Sequence, residues 1–193
     1  MSLRKKHRFL AVAAAAALVL GAGAAAAADD PNESETPETP PAATALTEAE
    51  ISGVLVTVNN GEVALARLAL MRSASPAVRI YAQRMLLDHS RANQLVFATA
   101  ASLGMTPVAS EVTRNMQEQG TLQVATLAQL FGPAFDLAYI DQQIKAHTQA
   151  LELLERRLVP TAEMPALRNL LTSTHDMVVK HLDLANVVRA TLL

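Results

Sequence analysis

The stretch Phe135–Leu158, FDLAYIDQQIKAHTQALELLERRL, decides the fold. At 3.6-residue spacing, Leu137, Ile140, Ile144, His147, Leu151, Leu154 and Leu158 share one stripe. All but His147 are aliphatic, which predicts an amphipathic helix with its apolar face on a core. His147 interrupts that face at its centre. An imidazole so placed needs a partner, because an unpaired buried polar group costs roughly 1–3 kcal/mol.

Three more long helices follow from the same reading. Thr47-Glu48-Ala49-Glu50 is a capping box that starts a helix running to about Arg72. Its stripe is Ile51, Leu55, Val58, Glu62, Leu65 and Ala69, and Glu62 is the polar interruption. Asn59-Asn60-Gly61 are poor helix formers, so local irregularity is expected there. Ser75-Pro76 opens a second helix that ends near Leu103 and Gly104. Its stripe is Val78, Ala82, Met85, His89, Ala92 and Val96, interrupted by His89. Pro165 opens the last helix, with Leu167, Leu171, Thr174, Val178, His181, Ala185, Val188 and Leu192 on one stripe and His181 as the exception. The helix through His147 should end before Pro160.

Residues 104–132 join the two helix pairs. Ser110-Glu111, Leu122, Val124, Leu127 and Leu130 predict one shorter helix, broken near Gly120. So long a link lets the second and third long helices run parallel. The expected fold class is therefore all-α, a ferritin-like four-helix bundle with a crossover connection containing a shorter helix.

Composition agrees. Apolar residues make up 51% of the 193, much of it alanine, and aromatics only 3%, which favours close-packed helices over sheets. The absence of cysteine rules out disulfides and thiolate metal sites. Residues 1–28 read as a signal peptide: basic Arg4, Lys5, Lys6 and Arg8, an apolar run from Phe9 to Leu20, then Ala26-Ala27-Ala28. The flanks and the small-residue ending favour cleavage over retention as an anchor. No later run is apolar and charge-free enough to be expected to cross a bilayer. Residues 29–45, rich in Pro, Glu and Thr, read as a disordered leader, and 46–193 as the bundle domain. Cleavage removes four of the 16 basic residues and none of the 18 acidic ones, leaving a net charge of −6. That balance argues against nucleic acid or anionic lipid as a partner. An exported protein, periplasmic or extracellular, is expected. An envelope protein or a second copy of the chain are the partner classes left open.

Glu62, His89, His147 and His181 each interrupt an apolar stripe. Counted from their connecting turns, the two members of each helix pair fall within roughly 4–6 Å of the same level. His175 lies at the edge of its helix's stripe and is a weaker candidate by phase, though nearer His147 in level. Neutral imidazoles with one carboxylate suit zinc, copper or iron, so one reading is a site for a single transition metal. The other is a structural polar layer, with these groups bonded to one another, to Asp88 or to trapped water.

Asn60-Gly61-Glu62 with Ala66, Met85 through Asp88-His89, Phe135-Asp136 with Tyr139 and His147, and His181-Leu182 with Ala185 resemble the bacterial "domain of unknown function 4142" family. The resemblance spans about residues 47–190. It implies an exported, ferritin-like protein and supplies no reaction. By position it carries over Glu62, Asp88, His89, Asp136, Tyr139, His147 and His181. Asp88 points about 100° from His89 on a helix, which suits an outer acceptor or an ion-pair partner of Arg84 or Arg91 better than a shared ligand; it stands as a weaker metal candidate. Asp136 suits the first turn of its helix whatever the function. No Glu-x-x-His motif occurs, so a ferroxidase-type dinuclear centre is not expected. No phosphate loop or nucleophile elbow is present either.

The functional expectation is an exported helical protein of unestablished biochemical role, with a buried Glu/His layer able to take one metal ion. Two alternatives accompany it. One is a metalloenzyme acting on oxygen or peroxide. The other is an envelope interaction module with a purely structural polar core.

Overall fold

A computed structural model describes residues 45–192. The expected signal peptide lies outside them, as does the expected leader apart from its last residue. The described residues contain helices and no β-strand.

The first helix, α1 (Glu48–Arg72), starts on the expected capping box. The Thr47 hydroxyl accepts from the Glu50 N–H, and the Glu50 carboxylate accepts from the Thr47 N–H at 2.9 Å. The helix continues unbroken through Asn59-Asn60-Gly61, where irregularity was expected. Asn59 is buried, and its side chain bonds across to His89 on the next helix, which offsets its poor intrinsic propensity. An 18-residue window of α1 reaches a mean hydropathy of 1.3, apolar enough by composition to cross a membrane, contrary to the sequence expectation. Part of that apolar surface faces the core, with Ile51, Val54, Leu55, Leu65, Ala66 and Ala69 all buried.

The second helix, α2 (Pro76–Ser102), is capped by Ser75, and all six residues of its expected stripe are buried. Gly104 follows in the left-handed region, at φ 68°. Helix α3 (Glu111–Leu127) runs through Gly120 without the expected break. It contributes little to the core: Thr113 and Leu127 are buried, whereas Leu122 is exposed.

Helix α4 (Gly132–Leu153) passes into a wide π turn (Leu154–Leu158) and a short helix α5 (Val159–Thr161). The expected stop before Pro160 is not observed. Here the Val159 N–H donates to the Leu154 carbonyl, five residues back. Pro160 has no N–H to give, and the widened turn just before it accommodates that loss. The turn also keeps both Leu154 and Leu158 buried. The last helix, α6 (Pro165–Ala190), follows the expected phase.

Helix α1 packs on α2, α4 on α6, α2 on α6 and α1 on α4, while α3 lies against α1. The buried apolar residues form two clusters. One contains Leu65 and Ala69 of α1, Val78 and Met85 of α2, Phe135 and Ile140 of α4, and Ala185 and Val188 of α6. The other contains Ile51 and Leu55 of α1, Val96 of α2, Leu154 and Leu158 beyond α4, and Leu167 and Val178 of α6. On each of these helices buried polar residues lie between the two clusters: Asn59 and Glu62, His89, Gln143 and His147, and His181. The core is thus cut across its length by a polar belt.

Candidate metal centre

Three of the belt residues converge. The imidazole centroids lie 5.9 Å apart for His89 and His147, 5.2 Å for His89 and His181, and 5.4 Å for His147 and His181. Each ring offers one ligand nitrogen, and these nitrogens lie within 4.8 Å of one another. A tetrahedral centre with metal–nitrogen bonds of 2.0–2.1 Å brings nitrogens to about 3.3 Å, so a bound ion would draw the rings slightly inward. Each ring is only 2% exposed.

The remaining hydrogen bonds fix which nitrogen faces inward. His147 donates from Nδ1 to the main-chain carbonyl of Gln143, at 2.9 Å. His181 donates from Nε2 to the Asp88 carboxylate, at 3.0 Å. His89 donates from Nδ1 to the Asn59 side-chain oxygen, at 2.9 Å. A neutral imidazole has one N–H and one lone pair. All three protons are therefore committed outward, and the inward atoms are lone pairs. Those atoms, His89 Nε2, His147 Nε2 and His181 Nδ1, are buried and have no hydrogen-bond partner in the protein.

Electrostatics keeps His89 and His181 neutral. Burial, reinforced by the neighbouring imidazoles, holds His89 well below the usual histidine range. Burial likewise lowers His181 to about 4, against the opposing pull of the Asp88 hydrogen bond. Burial pushes Asp88 up, but the bonds from His181 and Arg84 outweigh it and leave the carboxyl below its ordinary value. Three imidazoles, each held from behind by an oxygen acceptor, form the arrangement that orients metal-ligating histidines.

The other sequence candidates lie elsewhere. Glu62 is buried but is not in the cluster; its carboxylate accepts from the Gln143 side-chain N–H at 2.9 Å. Gln143 in turn accepts from the Tyr81 hydroxyl at 3.1 Å. Glu62 thus belongs to a second polar group, one helical turn along α4 from His147. Asp88 is the outer acceptor of His181 and an ion-pair partner of Arg84. His175 is a surface residue bonded through Nε2 to Glu155 at 2.9 Å, because it lies off the buried face of α6. The Glu155 hydrogen bond raises its pKa. Asp136 and Tyr139 are buried near the start of α4, each with an unpartnered oxygen. Tyr139 meets Tyr81 edge to face at 6.2 Å. Burial, with Glu62 nearby, raises both phenols.

Sequence reasoning missed Gln143 and Tyr81 altogether and read Asn59 only as a weak helix former. Gln143 had a legible signal, since a polar residue one turn before a core histidine shares its face. On α4 the buried stripe is Phe135, Tyr139, Ile140, Gln143 and His147, so Leu137 and Ile144 are shifted to its edge.

No curated protein matches the chain. Among solved structures it resembles a DUF305 protein from Streptomyces coelicolor, described as a "putative secreted protein", at 12% identity and a TM-score of 0.64. The match covers 75% of this chain and 93% of that one. Such low identity speaks to the fold alone. The model for the domain of unknown function DUF4142 matches residues 33–188, most of the sequence. The chain therefore belongs to the DUF4142 family.

Proposed function

We propose that this chain is a ferritin-like four-helix bundle, with a crossover through α3, that holds one transition-metal ion between His89, His147 and His181. The observation that carries the reading is the meeting of three buried lone pairs with no donor among them. A trapped water has two protons and satisfies two of the three; a cation satisfies all of them. Protonating His89 or His181 to supply the missing donor is opposed by burial. Neutral imidazole donors suit zinc, copper or iron. Bound there, the ion would supply Lewis acidity or, for copper or iron, a one-electron couple. Asn59, the Gln143 carbonyl and Asp88 hold the rings in the ligating tautomer. Glu62, tied to Gln143, is left outside the ligand set in this reading.

Export belongs to the same proposal. It is supported by the basic, apolar and small-residue order of residues 1–28 and by the description of the DUF305 neighbour.

Elemental analysis of chain purified without chelators tests the reading, together with melting curves of the stripped protein in zinc, copper and iron. One equivalent of metal per chain is expected, with a raised Tm that His147→Ala abolishes. If no metal co-purifies and none of the three shifts Tm, the belt is a purely structural polar layer and the proposal fails.

A further inference from the structure

A groove of about 350 Å³ lies between α2 and α6, and His181 and Asp88 are among its lining residues. Three cations line it: Arg84 and Arg91 from α2, and Lys180 from α6. Against them stand Asp88 and Asp176. Asp88 already holds Arg84 and His181. Asp176 lies 3.6 Å from His175. Among the described residues, Arg91 and Lys180 have no ion-pair partner. The groove therefore carries uncompensated positive charge beside an outer edge of the histidine cluster.

We propose that this groove binds a small polycarboxylate, either free or as the chelating shell in which the metal is carried to His181. The second form rests on the metal reading above. Arg84 and Arg91 are seven residues apart, roughly 10 Å along the helix, with Lys180 on the facing wall. A compact monoanion meets one of them at a time. Two or three carboxylates on a short chain span the set and take the paired N–H groups of arginine in bidentate fashion. Ser173 and Thr174, also in the lining, spend their hydroxyl protons on the carbonyls of Asn169 and Leu170. What remains are oxygen lone pairs, which suit a hydroxyl on the ligand rather than another carboxylate. A hydroxypolycarboxylate such as citrate matches both features.

The charge also bears on how metal arrives. A bare hydrated dication approaching this groove meets net positive charge, whereas a dication wrapped in carboxylates is attracted. Transfer is ligand exchange without redox change: metal–carboxylate bonds break, metal–imidazole bonds form, and the free polycarboxylate leaves the groove.

Citrate is titrated into the metal-free full chain by calorimetry at low and high salt. In parallel, cobalt(II) is offered as chloride and as citrate, and uptake is followed by the visible band of the nitrogen-bound ion. The expected result is citrate binding that weakens with salt and falls at least tenfold in the double variant Arg91→Ala/Lys180→Ala. Loading from cobalt citrate should slow by a similar factor in that variant, while the final cobalt band is unchanged. Citrate binding without faster loading supports the groove as a site for the free acid. Failure of citrate to bind, with equal loading rates in both proteins, overturns the proposal. If cobalt enters from neither source, the carried-metal form of the proposal falls, and the citrate titration still decides the groove.

Discussion

His147 gives its Nδ1 proton to the main-chain carbonyl of Gln143, and the side chain of that glutamine ties Tyr81 to Glu62. One residue thereby orients a ring of the histidine cluster and closes the neighbouring polar group. The side-chain half of this arrangement can be removed separately, because the carbonyl survives any substitution.

Gln143→Leu leaves the Glu62 carboxylate without its amide donor and the Tyr81 hydroxyl without its acceptor, both in the buried belt. A loss of roughly 2–4 kcal/mol in urea unfolding is expected, since each stranded group retains its desolvation cost. The triple change Gln143→Leu/Glu62→Leu/Tyr81→Phe should recover most of it. If the single and triple variants lose the same amount, the Glu62–Gln143–Tyr81 chain is not the source of the cost.

Asp88→Ala removes the acceptor behind His181 and leaves the inward nitrogen in place. Loss of such an outer partner typically lowers metal affinity 10–100-fold. Asp88→Asn, which keeps an oxygen acceptor at the same position, should restore much of it. Competition titrations against a chelating dye measure both. Equal affinities for wild type and Asp88→Ala would show that the His181–Asp88 bond does not orient the ring.

The pH dependence follows from the direction of the histidine shifts. His89 and His181 have folded pKa values below the unfolded value of about 6.5. Below that value the unfolded chain takes up protons that the folded chain refuses. Stability is therefore complete above about pH 6.5 and falls as pH drops toward 4, by roughly 3 kcal/mol from His181 alone. His175, raised by Glu155, works in the opposite sense, but its exposure leaves it a small contribution. Urea midpoints of the metal-free protein from pH 4 to 8 should slope upward and then level off. His181→Leu/Asp88→Leu should flatten the slope, and an unchanged slope would assign the dependence to other groups.

Several of these features were legible beforehand because they depend on local chemistry. The Thr47 capping box, the Ser75-Pro76 start and the α2 stripe through His89 need only neighbouring residues to be read. The inward facing of the three histidines follows from helical phase. Glu62 stands apart from the three histidines because phase gives the face and not the partner: it is buried as expected, but its carboxylate meets the Gln143 amide on α4. The passage through Pro160 was missed because a π turn shifts the hydrogen-bond register by one residue, and that shift has no compositional marker. Asn59 read as a defect because its compensation comes from α2, 30 residues away.

Glu48 reaches from the first turn of α1 to the start of α6, where its carboxylate accepts from the Glu163 and Met164 N–H groups at 2.6 and 2.8 Å. Met164 precedes α6 and has no side-chain oxygen to cap it. The carboxylate also faces the positive end of the helix. Glu48→Ala should cost about 0.5–2 kcal/mol, the range of a lost N-cap. Hydrogen exchange at the first turn of α6 should quicken with it. Unchanged exchange there would mean that Glu48 does not cap that helix.

Glycine substitutions on α1 separate close packing from helix propensity. A Cβ built on Gly53 lies 1.9 Å from the Val108 carbonyl oxygen and 2.8 Å from its carbon. Both are backbone atoms, and the Val108 N–H is itself bonded to the Ala49 carbonyl at 2.9 Å. Relief therefore requires moving the α2–α3 connection and breaking that bond. Gly61 has nothing within 4 Å of its would-be Cβ. Alanine in a helix interior is favoured over glycine by about 0.8–1.0 kcal/mol, so Gly61→Ala should stabilise by up to that amount. Gly53→Ala gains the same propensity but meets an overpacking cost of about 1–3 kcal/mol or more, so it should be destabilising on balance. Urea unfolding of the two variants should give opposite signs. A stabilised Gly53→Ala would show that the connection yields freely and does not clamp α1.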